Sequence, residues 1–225
     1  MKLTKFTHSC VRLEKDGAVL VIDPGTFSES EGETGTETAL AGAHALLITH
    51  QHADHFDEEK VVAALQLDQS LLVYAPAKVA GMLAERLDAD GLDRVHTAEP
   101  EQRYSVAGFE VQTFSGQHAL IHPHIPMVAN IGYLIDGSLY HPGDSFIVPH
   151  GVDVSTVLVP VHAPWSKTAE VIDFVTSVRA ARAFQIHDAL LNETGVQLVE
   201  GHVARIGGLY GTEFRHLALG ESVTI

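Results

Sequence analysis

The sequence predicts an α/β fold in which two mixed β-sheets pack face to face with helices outside, a four-layer αββα sandwich. Three observations carry that expectation. Residues 18–22, 45–48 and 156–161 are apolar almost throughout, as strands covered on both faces are. Each half of the chain starts with hairpins and then alternates strands with helices. Two sheets in contact, with helices on their outer faces, bury that pattern.

Taken in order, residues 3–6, 10–13 and 18–22 read as strands, and Asp16-Gly17 is a hairpin turn between the last two. Residues 26–38 are polar, glycine-rich and without periodicity; the stretch is either an inert surface loop or a lid. After the strand at 45–48, Asp57 caps a helix in which Val61, Val62 and Leu65 share a face. A strand at 71–75 and a helix at 78–87 follow. Hairpins at 103–114 and 128–141, turning at Ala107-Gly108 and Asp136-Gly137, deliver Ser115-Gly116-Gln117-His118 and Pro142-Gly143-Asp144-Ser145. A strand at 156–161 ends at His162. The clearest helix is 168–181, with Val171, Ile172, Val175 and Val178 on one side. A strand at 183–186 ends at His187, 196–206 is a helix, and a strand or two closes the chain. No linker divides this pattern, so residues 1–225 are expected to form one domain.

Composition narrows the function. With 14 Lys+Arg against 29 Asp+Glu the formal charge is −15, which excludes the basic footprint that long nucleic acid or an anionic membrane requires. A small-molecule substrate, anionic ones included, stays open because a buried metal centre dominates its own local field. Cys10 is the only cysteine, so neither an intrachain disulfide nor a thiolate metal site is expected. No run is long enough to span a bilayer and residues 1–7 lack an apolar signal core, so a cytoplasmic protein is expected.

The chemistry centres on Thr49-His50-Gln51-His52-Ala53-Asp54-His55, which follows an apolar strand. Imidazole nitrogen and carboxylate oxygen are donors that divalent transition metals accept. Even with 15 histidines in 225 residues, chance yields H-x-H-x-D-H in roughly one chain in a few hundred. His50, His118, Asp144 and His187 each lie just after a predicted strand, where ligands from distant segments can converge.

In these residues the sequence resembles the metallo-β-lactamase superfamily, whose signature is H-x-H-x-D-H followed by a distant His, an Asp and a final His. Thr7-His8-Ser9-Cys10-Val11 and Ile22-Asp23-Pro24 look like the branch that contains the ascorbate-6-phosphate lactonase. The resemblance implies that His50, His52 and His118 bind one metal, that Asp54, His55 and His187 bind a second, and that Asp144 bridges them. It further implies a metal-dependent hydrolase in which a bridging hydroxide attacks a small ester, lactone or phosphoester. Two divalent ions are expected, Zn²⁺ first, with Mn²⁺ and Fe²⁺ suited to the same donors.

Other residues carry two readings each. His8 either contacts substrate beside the metals or is a surface histidine. Asp23 either accepts from a ligand imidazole or merely starts a turn before Pro24. His162 is a candidate proton donor to the leaving group, with Trp165 and Lys167 lining the pocket; alternatively Trp165 is core and Lys167 a solvated helix start. His122 and His124 compete with His118, which is preferred because it comes soonest after the strand and follows Gly116. His122 to Pro126 is then a pocket wall or a contact in a homo-oligomer. Two alternatives to the hydrolase remain, a di-iron redox protein on the same scaffold and a metal-binding protein without turnover.

Overall fold

Turn chemistry and apolar alternation account for most of the architecture. In the computed structural model, which describes residues 1–27 and 35–225, β1 (Lys2–Lys5), β2 (Val11–Lys15) and β3 (Ala18–Ile22) form an antiparallel meander. Asp16 and Gly17 both take positive φ (52° and 84°) at the β2–β3 turn, which matches the twist of the strands it joins. β4 (Ala45–Leu47), β5 (Leu72–Ala75) and β6 (Val95–Thr97) then add in parallel, and β14 (Ser222–Thr224) pairs with β1. The first sheet is therefore ordered β14-β1-β2-β3-β4-β5-β6.

The second half repeats the scheme. β7 (Arg103–Val106), β8 (Phe109–Ser115), β9 (Ile131–Ile135) and β10 (Leu139–His141) are antiparallel neighbours. β11 (Thr156–Pro160), β12 (Arg182–Ile186) and β13 (Glu213–Arg215) follow in parallel, giving the order β13-β12-β11-β10-β9-β8-β7. Both sheets are thus mixed, as expected.

Alternate residues of each central strand feed two different apolar layers. Leu20 and Ile22 of β3 and Ala45 and Leu47 of β4 join Phe109, Tyr133, Leu158 and Phe184 in the core between the sheets. Val19, Val21 and Leu46 point the other way, onto α1 (Thr36–Leu40), α2 (Glu58–Leu67) and α3 (Ala77–Ala84). On the far side Val157 and Val159 of β11 pack against α5 (Thr168–Val178) and α6 (Glu193–Leu209). The layers are α, β, β, α, and a fully buried Leu or Val in them contributes about 1.5–3 kcal/mol. Asp57 caps α2 by accepting from Lys60 N–H, as the sequence implies.

Several boundaries differ from expectation. α1 occupies part of the stretch expected to be a loop or lid over 26–38, and residues 28–34 of that stretch lie outside the described residues. α4 (Ala89–Leu92) and β6 leave no mark in the sequence because four and three residues are too short to show a period. α5 stops at Val178 because Arg179 turns left-handed (φ 55°). Tyr133 stitches the sheets together: it is fully buried and its hydroxyl donates to Ile48 O at 2.9 Å, just ahead of the histidine motif.

Candidate metal centre

The strand ends of both sheets converge on one cluster. His50, His52, Asp54 and His55 follow β4, His118 follows β8, Asp144 follows β10 and His187 follows β12. Their ligand atoms fall into two groups, His50 with His52, His118 and Asp144, and His55 with Asp54, His187 and His8; within each group all lie within 4.8 Å of one another. His122 and His124 belong to neither group; they lie on an exposed loop facing each other.

Four of the five proposed imidazole ligands are held with a defined nitrogen toward the centre. The His55 Nδ1–H donates to Asp23 Oδ2 at 2.7 Å, which leaves Nε2 inward. The Thr49 hydroxyl spends its proton on the same Asp23 oxygen, at 2.7 Å, so it accepts from His50 Nδ1–H at 2.9 Å. The His118 Nδ1–H donates to Ala119 O, and the His187 Nδ1–H to His162 O, both at 2.6 Å. In these four histidines the outward Nδ1–H bond leaves Nε2 as the inward nitrogen, the atom a metal would take.

Asp144 sits where the two groups meet. Its Oδ1 lies 3.0 Å from His55 Nε2, and its Oδ2 lies 3.2 Å from both His118 Nε2 and His187 Nε2. Yet His55 Nε2, His187 Nε2 and Asp144 Oδ1 are buried without a hydrogen-bond partner. Three orphaned polar atoms buried in one cluster is a costly arrangement in a folded chain, and a shared cation would remove that cost. The donor set, imidazole and carboxylate only, fits divalent transition ions.

The electrostatics agree. Burial opposes ionisation of Asp144, but the facing His55 and His187 outweigh it and hold the carboxyl well below its usual range. Burial likewise disfavours a charged His55, yet Asp144 and Asp23 outweigh that and raise it well above its ordinary value. Burial drives His50 well down, so it is neutral at pH 7.

His8 joins the group around Asp54, not the surface. Ala189 N–H donates to its Nδ1 at 3.4 Å, and its own Nε2–H donates to Asp54 Oδ2 at 3.2 Å. With that nitrogen carrying the proton, His8 orients Asp54 and offers no lone pair inward. Burial pushes His8 down to about 4, which keeps it neutral. Burial resists ionisation of Asp54, but the His8 hydrogen bond and the charge of His55 prevail and lower it to about 2.

The backbone here is strained in a concentrated way. His8, Asp23, Ser115 and His187 all take φ between 53° and 75°, a region that non-glycine residues avoid unless the surroundings impose it. Lys5 is part of that imposition: buried, it donates to His8 O at 2.8 Å and to Asp188 Oδ1 at 3.2 Å, beside His187. Burial lowers the Lys5 ammonium, against the pull of Asp188.

Several supporting contacts go beyond what the sequence marks. Asn130 accepts from Asp144 N–H at 2.9 Å and donates to Pro142 O at 2.9 Å. Trp165 donates its indole N–H to Asp144 Oδ2 at 2.8 Å, so it belongs with the cluster and not with the core. His141, a buried histidine, accepts from Gly143 N–H and donates to Ser9 O, which ties the Asp144 turn to the start of the chain. His162 contributes its carbonyl, to His187, and its imidazole is in neither ligand group. The Lys167 ammonium is exposed, 3.5 Å from Glu170.

Asp23 holds both His55 and Thr49, so one substitution should loosen two ligands. Asp23→Asn is expected to weaken metal binding about 10- to 100-fold, read by competition with a chromophoric chelator. An unchanged affinity would show that the Asp23 contacts are incidental.

Residues 2–187 match the family described as Beta-lactamase superfamily domain. Protein Rv0786c of Mycobacterium tuberculosis is 36% identical over 230 residues, spanning 100% of both chains. The solved structure of Igni18, described as a novel metallo hydrolase from the archaeon Ignicoccus hospitalis, superposes with a TM-score of 0.72 at 17% identity, over 99% of this chain and 97% of that one. CmlA, described as a diiron β-hydroxylase from Streptomyces venezuelae, gives 0.71 at 17% identity, over 100% of this chain and 54% of that one. At that identity the two structures speak for the fold alone. No helix among the described residues is long and apolar enough to cross a membrane.

Proposed function

The chain belongs to the β-lactamase superfamily domain family, and from that premise we propose that it is a metal-dependent hydrolase of small esters, lactones or phosphoesters that holds two divalent ions. The observation that carries this reading is the pair of adjoining ligand groups with orphaned inward atoms between them. His50, His52 and His118 would hold one ion, Asp54, His55 and His187 the other, and Asp144 both. When bound, such ions acidify water and polarise an electrophilic carbonyl or phosphoryl oxygen.

The chain's own residues account for the rest. Hydrolysis adds water across the scissile bond, its oxygen joining the acyl carbon or phosphorus and a proton leaving with the alcohol. Asp144 and Asp54 stay ionised at neutral pH and so can bind cations and accept from water. His8 and Trp165 fix those two carboxylates by one hydrogen bond each. His162 is assigned to protonating the departing oxygen. His162→Ala keeps the carbonyl that His187 uses, so kcat is expected to fall about 100-fold or more with metal content unchanged. A variant with full kcat would remove His162 from the mechanism.

Zn²⁺ is the ion we favour, and the donors also suit Mn²⁺ and Fe²⁺. The lactonase-like reading rests on His8 and Asp23, which the fold brings to the same cluster by hydrogen bonds to Asp54 and His55. We further propose one domain over residues 1–225 and a cytoplasmic location, the latter supported by a single buried cysteine. A second reading, a di-iron redox protein, is kept in view by the likeness to CmlA. Stripping with a chelator and reloading separates the two: Zn²⁺ should restore ester hydrolysis, whereas a redox protein would respond to Fe²⁺ and consume oxygen.

A further inference from the structure

A cleft of about 770 Å³ opens beside the metal centre, within the size range of small-molecule sites. Its walls include Leu120, Ile121, Phe146, Ile147, Pro164 and Trp165. Four of them come from loops that deliver proposed ligands, Leu120 and Ile121 following His118 and Phe146 and Ile147 following Asp144, while Pro164 and Trp165 come from the loop between β11 and α5. Leu120 and Ile147 are 56% and 46% exposed, large apolar side chains held open to solvent at the edge of a polar cluster. His118 and Trp165 line the cleft and also touch Asp144, so an occupant lies directly against the proposed ligands.

The charge around the cleft is wrong for an anion. Its only Lys or Arg is Lys167, already 3.5 Å from Glu170. Phosphate and sulfate groups are recognised by arginine forks or free lysines, and none lines this cleft. Residues 28–34 add no cation wherever they lie, since they contain Glu29, Glu31 and Glu33 and no Lys or Arg.

We infer that the cleft takes the uncharged apolar acyl group of a carboxylic ester or lactone, which places such substrates ahead of phosphoesters. This rests on the hydrolase reading and narrows it. In the reaction the acyl carbon–oxygen bond breaks, water oxygen joins the acyl carbon, and the released oxygen takes a proton, leaving as the alcohol of an ester or remaining as the hydroxyl of an opened lactone.

The test uses the full metal-loaded chain and one leaving group throughout: nitrophenyl acetate, butyrate, hexanoate and octanoate against nitrophenyl phosphate and bis(nitrophenyl) phosphate. kcat/KM is expected to rise about twofold to fourfold per added methylene. Both phosphates should fall at least about 100-fold below the hexanoate. Trp165 is the only tryptophan, so its emission reports on the cleft independently of turnover. Octanol should shift that emission and inorganic phosphate should not, and Leu120→Asp or Ile147→Asp should abolish the octanol response. Indifference to acyl length, preference for a phosphate, or emission that ignores octanol would overturn the inference. Octanol binding without hydrolysis of any probe would count against the hydrolase reading while supporting the apolar occupant.

Discussion

Asp144→Asn is expected to abolish hydrolysis, by more than about 100-fold, and to cut bound metal, while the chain stays folded. The first half of that expectation follows from position. Asp144 meets His55, His118 and His187 at 3.0 to 3.2 Å and, among the described residues, is the one carboxylate that touches both ligand groups. An amide there removes the negative charge, and the loss should exceed the about 10- to 100-fold cost of deleting a supporting contact. The second half follows from shape. Asparagine has the same outline, can still accept from Trp165 N–H, and leaves the backbone bond from Asp144 N–H to Asn130 in place. Circular dichroism and urea midpoints near wild type, with metal lost, are the expected pairing. Full activity would mean that Asp144 is not the bridge.

Gly25→Ala should be the most damaging small substitution outside the ligand set. A Cβ at that position would meet Asp54 O at 1.9 Å, Asp54 C at 2.1 Å and His55 N at 2.6 Å, all of them backbone atoms. No flexible side chain can swing aside, so the segment carrying two proposed ligands must move. Forced overpacking of this kind costs about 1–3 kcal/mol, and contact with backbone places it at the upper end. The expected result is a destabilisation of about 3 kcal/mol in urea unfolding together with loss of the ion at Asp54, His55 and His187. Gly81→Ala is the control. It lies inside α3 with nothing within 4 Å of its added Cβ, and should stabilise the protein by about 0.5–1 kcal/mol. Equal, small effects at the two positions would contradict the packing argument.

Much of the frame is legible in the amino-acid sequence. The Asp16-Gly17, Ala107-Gly108 and Asp136-Gly137 pairs each take positive φ at both residues, and each joins the two strands that the alternation implies. Strands buried on both faces betray themselves by uninterrupted apolar runs, as β3 and β11 do. β6 and α4 carry too few residues for a period to register, and their places depend on what they pack against.

The cluster divides the same way. His50 to His55 can be read because four donors fall within six residues. His118, Asp144 and His187 can be placed because each ends a strand. Asn130 and Lys5 cannot, and Trp165 can be read as a pocket-lining candidate but not as a partner of Asp144, since the partners lie far off in sequence: Trp165 reaches Asp144 across 21 residues and Lys5 reaches Asp188 across 183. Nothing local marks such a contact. The same holds for the His162 carbonyl, whose contact with His187 spans 25 residues. The apolar cleft is likewise a property of three loops meeting, none of which is unusual alone.

Metal content, measured on the chain purified without chelator, tests the central claim most directly. Two adjoining ligand groups predict about two equivalents of divalent metal per chain, lost together with hydrolysis on chelation and regained together on reloading. Less than about one equivalent after gentle purification and reloading, in a chain that is folded, would contradict the two-metal centre.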